Sequence, residues 1–159
     1  MNHRVFLGLG SNLGEPKRNI LKAVDLVRER TECEAAQLSP LYQTPPFGEV
    51  EQPDFVNAVI EVYCSMTPHE LLMTCKSIEA EMGREESVRW GPRLIDIDIL
   101  IFDDLEIDEE NLKIPHPGIQ ERAFVLYPLD DLDKNLELPG LGKTSELKAR
   151  LDKPEISLL

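Results

Sequence analysis

The segment RWGPRLIDIDIL, residues 89–100, carries two aspartates two positions apart in an otherwise apolar stretch. Side chains alternate between the faces of a strand, so Asp96 and Asp98 share one face. The four isoleucines that alternate with them, from Ile95 to Ile101, are predicted to form an unbroken aliphatic face on the other side. Because Leu100 and Phe102 continue the aspartate face, that face should run from water into a core. The two carboxylates are therefore predicted to lie at the mouth of a site.

The composition around this strand is that of an ordinary soluble domain. The chain has 159 residues, of which 42% are hydrophobic and 30% charged, so we expect one domain spanning residues 1–159. No run approaches the roughly 18 apolar residues of a membrane helix, and the N-terminus lacks a signal-peptide pattern. We therefore expect a cytoplasmic protein that does not bind membranes. The net charge of −13 argues against nucleic-acid binding, which needs clustered cations.

Hydrophobic periodicity predicts the order strand, helix, strand, strand, helix, strand. The strands are predicted at residues 4–9, 37–42 and 55–64, followed by the aspartate strand. The helices are predicted at residues 16–30 and 67–83. This order points to an α+β fold, a βαββαβ sandwich with a mostly antiparallel sheet and its helices on one face. Short additional elements are expected after about Leu129.

Smaller signals support these boundaries. Thr67 and Glu70 have the spacing of a capping box, with proline at the first helical position, and Gly83 is a natural C-terminal stop. The segment GLGSNLG, residues 8–14, is predicted to end the first strand in a turn that needs positive φ. It is not a dinucleotide fingerprint, because its third glycine falls one residue late. Neither is GLGKT, residues 140–144, a phosphate loop, because its earlier glycine is missing.

The three cysteines, Cys33, Cys64 and Cys75, lack metal-ligand spacing and are odd in number. They are therefore predicted to be free thiols buried in the core.

The aspartate pair has three chemical interpretations: a metal site, an acid–base pair or a solvated strand edge. Two like charges about 7 Å apart along a strand repel each other, and a divalent cation removes that cost. Arg84, Arg89 and Arg93 fall within ten residues of an acidic chain, which favours a local anionic ligand over general polyanion binding. Magnesium beside arginines is typical of phosphate chemistry. The alternative is a solvated edge flanked by ion-paired surface arginines.

Four further residues could contact a ligand. Trp90 lies in a Gly/Pro loop, where an aromatic side chain either plugs a gap or touches a ligand. Asn57 and Phe55 share a strand face and offer a flat heterocycle both stacking and a paired donor and acceptor. Asn57 could equally satisfy a neighbouring backbone group. His116, held between two prolines, is either structural or a ligand contact.

Three segments together carry a family resemblance: TPPFGEVEQPDFVNAV, GREESVRWGPRLIDIDIL and PHPGIQERAFVLYPL, in that order. They resemble the 6-hydroxymethyl-7,8-dihydropterin pyrophosphokinases of folate biosynthesis. The resemblance extends from GLGSNLG to about Leu129, which is most of the chain. It implies a ferredoxin-like α+β sandwich, in agreement with the element order above.

The resemblance also implies a reaction. In this family the hydroxymethyl oxygen of the pterin attacks the β-phosphorus of ATP, and AMP leaves. The two aspartates of D-x-D, here Asp96 and Asp98, hold two magnesium ions on the ATP phosphates. ATP and the pterin are thus the expected small-molecule partners, and a monomer is expected.

The family's functional residues carry over position by position. The pterin pocket maps onto Thr44, Pro45, Phe47, Phe55, Asn57, Trp90 and Phe124. The ATP contacts map onto Glu79, Arg84, Arg89, Trp90, Arg93, Ile99, His116 and Arg122. The catalytic group comprises Arg84, Arg93 and the two aspartates.

The chain departs from the family's pattern at two places. Relatives often carry a second basic residue shortly after the arginine of G-R, whereas here Arg84 precedes Glu85 and Glu86. Arg84 then acts alone, or Lys76 or Lys113 compensates from another element. Pro117 also stands where some relatives have an aromatic residue, which affects adenosine packing.

Two other classes of function fit the same scaffold. A ligand-sensing domain would bind a small molecule without turnover and would not need the aspartate pair. A phosphotransferase that moves only the γ-phosphoryl group would release ADP instead of AMP.

Overall fold

The computed structural model describes residues 2–45, 53–85 and 94–159, with the backbone alone at residues 84 and 85. One antiparallel sheet organises them, with strand order β10-β3-β4-β1-β5 and with β2 also paired to β4. Its strands are β1 (His3–Ser11), β2 (Ala35–Leu38), β3 (Tyr42–Thr44), β4 (Phe55–Cys64), β5 (Asp96–Phe102) and β10 (Ser157–Leu158). All five strand pairings in this sheet are antiparallel, which confirms the predicted fold class.

The remaining elements are four helices, one 3-10 turn and two small ribbons. The helices are α1 (Pro16–Thr31), α2 (Pro68–Glu85), α3 (Ala123–Leu132) and α4 (Thr144–Ala149), with a 3-10 helix at Ile119–Glu121. The ribbons pair β6 (Ile107–Asp108) with β7 (Lys113–Ile114) and β8 (Glu137–Leu138) with β9 (Gly142–Lys143). No helix in the described part of the chain is both long and apolar enough to cross a membrane.

Helices α1 and α2 cover one face of the sheet, as their apolar spacing predicts. Ile20 and Val27 of α1 and Leu71 and Ile78 of α2 are fully buried against alternate residues of β1, β4 and β5. The N-terminus of α2 forms the predicted capping box. Thr67 N donates to Glu70 Oε1 at 3.0 Å, and Glu70 N donates to Thr67 Oγ1 at 3.2 Å.

The opposite face of the sheet is half covered. Helices α3 and α4 pack there on a second cluster that includes Phe6, Val59, Leu100 and Leu126. The aspartate end of β5 lies on this same face but beyond that cluster, with Asp96 exposed and Asp98 half-buried. The face therefore runs from an open, polar end into a core, as the sequence predicts.

A bulge in β5 corrects the predicted alternation. The register of β1 against β5 shifts by one residue, so Phe6 faces Ile101 while Leu7 faces Ile99. Leu100 is the extra residue, and its insertion exchanges the faces of the two residues after it. Ile101 thus joins the cluster under α3, and Phe102 joins the cluster under α1 and α2.

Three boundaries differ from the sequence predictions. The predicted strand 37–42 is two strands, β2 and β3, because Pro40 has no N–H to continue the ladder and Ser39 Oγ accepts from Val59 N at 2.9 Å instead. Helix α2 continues to Glu85, since Gly83 does not adopt the left-handed conformation that ends a helix. Strand β1 extends to Ser11, which leaves only Gly14 of the glycine segment in a positive-φ turn, at φ 59°.

The cysteines are free thiols, as predicted. Cys64 and Cys75 are buried in the core, whereas Cys33 is only half-buried.

Candidate active site

A cavity of about 480 Å³ opens on the aspartate-bearing face, between the sheet and the start of α3. It is bounded by β1, β3, β4 and β5 on one side and by residues 121–125 on the other. Seven of the residues predicted for the site line it: Thr44, Phe55, Asn57, Asp96, Asp98, Arg122 and Phe124. Residues predicted from three separate motifs therefore meet in one place.

Strand register places the key polar groups in one row. Tyr42 of β3 pairs with Asn57 of β4, Asn57 pairs with Gly10 of β1, and Gly10 pairs with Asp96 of β5. Paired residues of an antiparallel sheet project to the same face, so the row crosses four strands on the cavity side. Asp98 follows one row further on, opposite Gly8.

The amide of Asn57 is fixed by two neighbours. Its Nδ2 donates to Thr44 Oγ1 at 2.9 Å, and both residues are more than nine-tenths buried. Its Oδ1 lies over Gly10, where an added Cβ would come within 2.9 Å of that oxygen. Glycine at position 10 is therefore needed for the Asn57 amide to keep this position. A buried amide of this kind presents an oriented donor and acceptor to a flat polar ligand.

Two phenylalanines add aromatic surface to the same cavity. Phe55 pairs in register with Thr44 on the sheet side, and Phe124 lies in the first turn of α3 on the other side. The guanidinium of Arg122 lies 5.7 Å from the ring centroid of Phe124. The cavity thus combines aromatic rings, an oriented amide and a cation.

A second cavity, of about 240 Å³, lies around the outer edge of β5. Ile99 and His116, both predicted ATP contacts, line it together with Lys76 and Lys113, the two lysines proposed as compensating cations. The backbone N of His116 donates to Leu100 O at 3.0 Å, which holds this segment against the strand. Asp98 lines both cavities and is therefore their shared boundary.

Glu79, another predicted ATP contact, lines neither of these cavities. It is buried on α2, and its Oε2 accepts the backbone N–H of Ile97 at 2.9 Å, between the two aspartates. Lys76 Nζ lies 3.5 Å from its Oε1. The nearby Cys75 thiol is buried, and this burial is the main reason that its pKa is raised to about 12. The charges of Glu79 and Asp98 also raise this pKa, so the thiol stays protonated. Through its hydrogen bond to Ile97, Glu79 holds β5 against α2.

The other predicted residues are not joined to the first cavity. Pro45 lines a third, adjacent cavity of about 570 Å³, on the far side of Phe124 and next to residues 150–155. Phe47, Arg89, Trp90 and Arg93 lie outside the described residues, as does the side chain of Arg84.

The sequence predictions did not include seven residues that line the first cavity; three of them, Gly8, Gly10 and Glu121, are not part of the apolar core. Glu121 directly precedes the predicted Arg122, but no spacing signalled it. The glycines alternate along β1, a pattern that could have indicated a strand face kept free for a ligand.

The two cavities adjoin at Asp98 on an antiparallel α+β sandwich, an arrangement that suits an enzyme with two small-molecule substrates. Among described residues no group of three or more His, Cys, Asp or Glu side chains could hold a metal ion by itself.

Comparison with known proteins identifies the family. A model of the 7,8-dihydro-6-hydroxymethylpterin-pyrophosphokinase (HPPK) family matches residues 6–134. The chain is 44% identical over 149 residues to a 2-amino-4-hydroxy-6-hydroxymethyldihydropteridine pyrophosphokinase of Pseudomonas aeruginosa, which covers 94% of this chain and 92% of that protein. It is 39% identical over 137 residues to the Bacillus subtilis protein of the same name, covering 86% and 82%.

Longer relatives match as well. The chain is 41% identical over 138 residues to the folic acid synthesis protein fol1 of Schizosaccharomyces pombe, covering 87% of this chain but 19% of that protein. The wild-type HPPK-DHPS structure of Plasmodium falciparum with pteroate superposes with a TM-score of 0.74 at 18% identity, covering 94% of this chain and 42% of that one. This chain therefore shares its fold with the part of the larger protein that it matches.

The chain belongs to the 7,8-dihydro-6-hydroxymethylpterin-pyrophosphokinase family. This membership confirms the class of enzyme expected from the sequence, a pyrophosphokinase of folate synthesis.

Proposed function

We propose that the protein transfers the diphosphate group of ATP to 6-hydroxymethyl-7,8-dihydropterin and releases AMP. The observation that carries this proposal is the position of Asp98, which borders both the aromatic–amide cavity and the lysine-flanked cavity. Two substrates bound in these cavities meet at the aspartate pair, which is where a group must pass from one to the other.

The pterin occupies the first cavity. A pterin is a flat, polar bicycle, so it needs stacking partners and in-plane hydrogen bonds. Phe55 and Phe124 supply aromatic surface, and Asn57, oriented by Thr44, supplies a paired donor and acceptor. We assign Pro45, Phe47 and Trp90 to the same pocket on the strength of the family pattern alone.

ATP occupies the second cavity and extends its phosphates across Asp98. Ile99 offers apolar surface to the adenosine, and His116 is fixed by its backbone bond to Leu100. Lys76 and Lys113 line this cavity and compensate for the second basic residue that relatives often carry after Arg84. The remaining cations assigned to ATP are Arg84, Arg89, Arg93 and Arg122, with Trp90 beside them and with Glu79 acting through the strand it supports.

The residues present fit magnesium held jointly with the substrate. Asp96 and Asp98 share a face at an open end of β5, whereas magnesium keeps waters and prefers one or two carboxylates plus phosphate oxygens to an all-protein cage. We assign two magnesium ions to this pair. When bound, they would neutralise charge on the phosphates of ATP.

The protein's own part in the reaction is positioning. The hydroxymethyl group gives up its proton to solvent as its oxygen forms a bond to the β-phosphorus. The bond from that phosphorus to the oxygen shared with the α-phosphorus breaks, and AMP departs with that oxygen and the electron pair of the broken bond. The amide of Asn57 fixes the pterin ring and thereby the direction of its hydroxymethyl arm. Arg84, Arg93 and Arg122 stabilise the charge that spreads over the transferred phosphates. Since one chain lines both cavities, we expect the monomer to be active.

Nucleotide product identity tests the proposal. Purified protein is mixed with ATP, magnesium and 6-hydroxymethyl-7,8-dihydropterin, and the nucleotides are separated by chromatography with and without chelator. We expect AMP only when pterin and magnesium are both present. ADP would overturn diphosphoryl transfer in favour of γ-phosphoryl transfer. Pterin binding without nucleotide turnover would favour a ligand-sensing role.

A further inference from the structure

The wall of the pterin cavity on the sheet side depends on a very short strand. Strand β3 has three residues, Tyr42 to Thr44, and its last residue provides the hydroxyl that orients Asn57. The ladder with β4 fixes β3 within the sheet. It does not set the distance from β3 to α3, which carries the opposite wall through Phe124.

Tyr42 connects these two walls. Its side chain projects to the same face as Thr44, and only 7% of the residue is exposed. Its hydroxyl donates a hydrogen bond to Asp131 Oδ2 of α3. Its ring packs edge-on against Tyr127 of the same helix, with centroids 5.9 Å apart and an interplanar angle of 84°.

The receiving helix is held from its other side. Lys148 of α4 lies over the ring of Tyr127 at 4.2 Å from its centroid, and its Nζ is 3.4 Å from Asp130 Oδ2. Burial raises the pKa of Tyr42, and the hydrogen bond to Asp131 raises it further, so the phenol remains a hydrogen-bond donor at neutral pH. The contact between β3 and α3 is therefore continuous from the sheet to α4.

We propose that Tyr42 and Asp131 are positioning residues for the pterin subsite. Their hydrogen bond holds Thr44 of β3 and Phe124 of α3 at the separation that a flat ring needs between them. Neither residue lines the pterin cavity or the proposed ATP cavity, so their effect passes through the two walls. The inference rests on the proposed function, which assigns the pterin to this cavity.

The test compares four variants with the wild type: Tyr42→Phe, Asp131→Ala, Asp131→Asn and the double variant Tyr42→Phe/Asp131→Ala. The Kd for 6-hydroxymethyl-7,8-dihydropterin is measured by fluorescence titration, and KM for each substrate, kcat and Tm are measured alongside. Loss of one hydrogen bond predicts a rise of about three- to tenfold in pterin Kd and KM, with KM for ATP unchanged. The double variant should match the single ones, because both remove the same bond.

Asp131→Asn and Tyr63→Phe provide the controls. Asparagine keeps an acceptor oxygen, so Asp131→Asn should restore most of the pterin affinity that Asp131→Ala loses. Tyr63 lies near the other end of β4, beyond the cavity, and its Tyr→Phe change should leave both substrates unaffected. If Tyr42→Phe fails to fold, the two Asp131 variants decide the question alone, since Asp131 is exposed.

The inference is overturned if pterin affinity is unchanged in Tyr42→Phe and Asp131→Ala, or if KM rises equally for ATP and pterin. A fall in Tm with unchanged pterin affinity would likewise reduce the bond to a purely structural role. The wild-type product assay tests the proposed function separately. Because the Kd measurement needs no turnover, the positioning role is decided even for an enzyme whose reaction differs from the one proposed.

Discussion

Replacing Gly10 by alanine should disturb the pterin subsite selectively. The added Cβ would lie 2.9 Å from Asn57 Oδ1, about 0.5 Å inside the ordinary contact limit of 3.4 Å. The amide must then shift or rotate, although its Nδ2 is bonded to Thr44 at 2.9 Å and the residue is only 7% exposed. Losing the alignment of one such hydrogen bond costs about 1 kcal/mol, which is a factor of about five in affinity.

The assay is pterin Kd by fluorescence titration, with KM for both substrates and Tm. We expect pterin Kd and KM to rise about fivefold, KM for ATP to stay unchanged and the protein to remain folded. Gly83→Ala is the matched control, because no atom of the described residues lies within 4 Å of its added Cβ and alanine favours the helix by about 1 kcal/mol. An unchanged pterin Kd in Gly10→Ala would refute the assignment of Asn57 as the oriented ligand amide.

Three other predictions follow from the described geometry. Asp96→Ala and Asp98→Ala should each abolish AMP formation while shifting Tm little, because both side chains lie at the open end of β5; near-normal turnover in either variant would contradict the metal assignment. Thr67→Ala should lower the free energy of unfolding by about 1 kcal/mol through loss of the helix cap, with kcat unchanged. The hydrogen bond from Arg4 lowers the pKa of Asp133, so this pair stabilises the fold above pH 3.8 and the contribution is lost as the pH falls below that value. Asp133→Asn should therefore lower Tm at pH 7 more than at pH 3, and equal losses at both would contradict this ion pair.

The parts of the fold that follow from local pattern were predictable. The shared face of Val56, Ala58, Ile60, Val62 and Cys64 on β4 and the Thr67 cap depend on residues close in sequence, and both are found as expected, although β4 is buried on its other face as well. The break at Pro40 and the bulge at Leu100 were not predicted. The strand breaks at Pro40, which has no N–H for the ladder. The bond that replaces the missing ladder contact joins Ser39 to Val59, a partner distant in sequence. A bulge depends on the register against a second strand, which periodicity in one strand cannot reveal.

The site divides in the same way. The spacing of Asp96 and Asp98 placed both on one strand face, with a ligand site as one of its interpretations, and strand register places Asn57 on that same face. The contribution of Gly10 could not be predicted, since it arises from closeness to a side chain on another strand. That Lys113 lines the second cavity together with Lys76 depends on how the β6–β7 ribbon packs against β5, which is again a tertiary contact.

The location of β5 at the end of the strand order explains how one aspartate serves two cavities. An edge strand leaves backbone groups unpaired, and exposed edges invite pairing with other chains. Here Glu79 accepts the N–H of Ile97, and the backbone of His116 donates to the carbonyl of Leu100. These two bonds pair one backbone group on each side of Asp98, and among the described residues no further strand joins the sheet beyond β5. A strand paired on both sides would have closed the second cavity, so the edge position is what allows Asp98 to border both cavities at once.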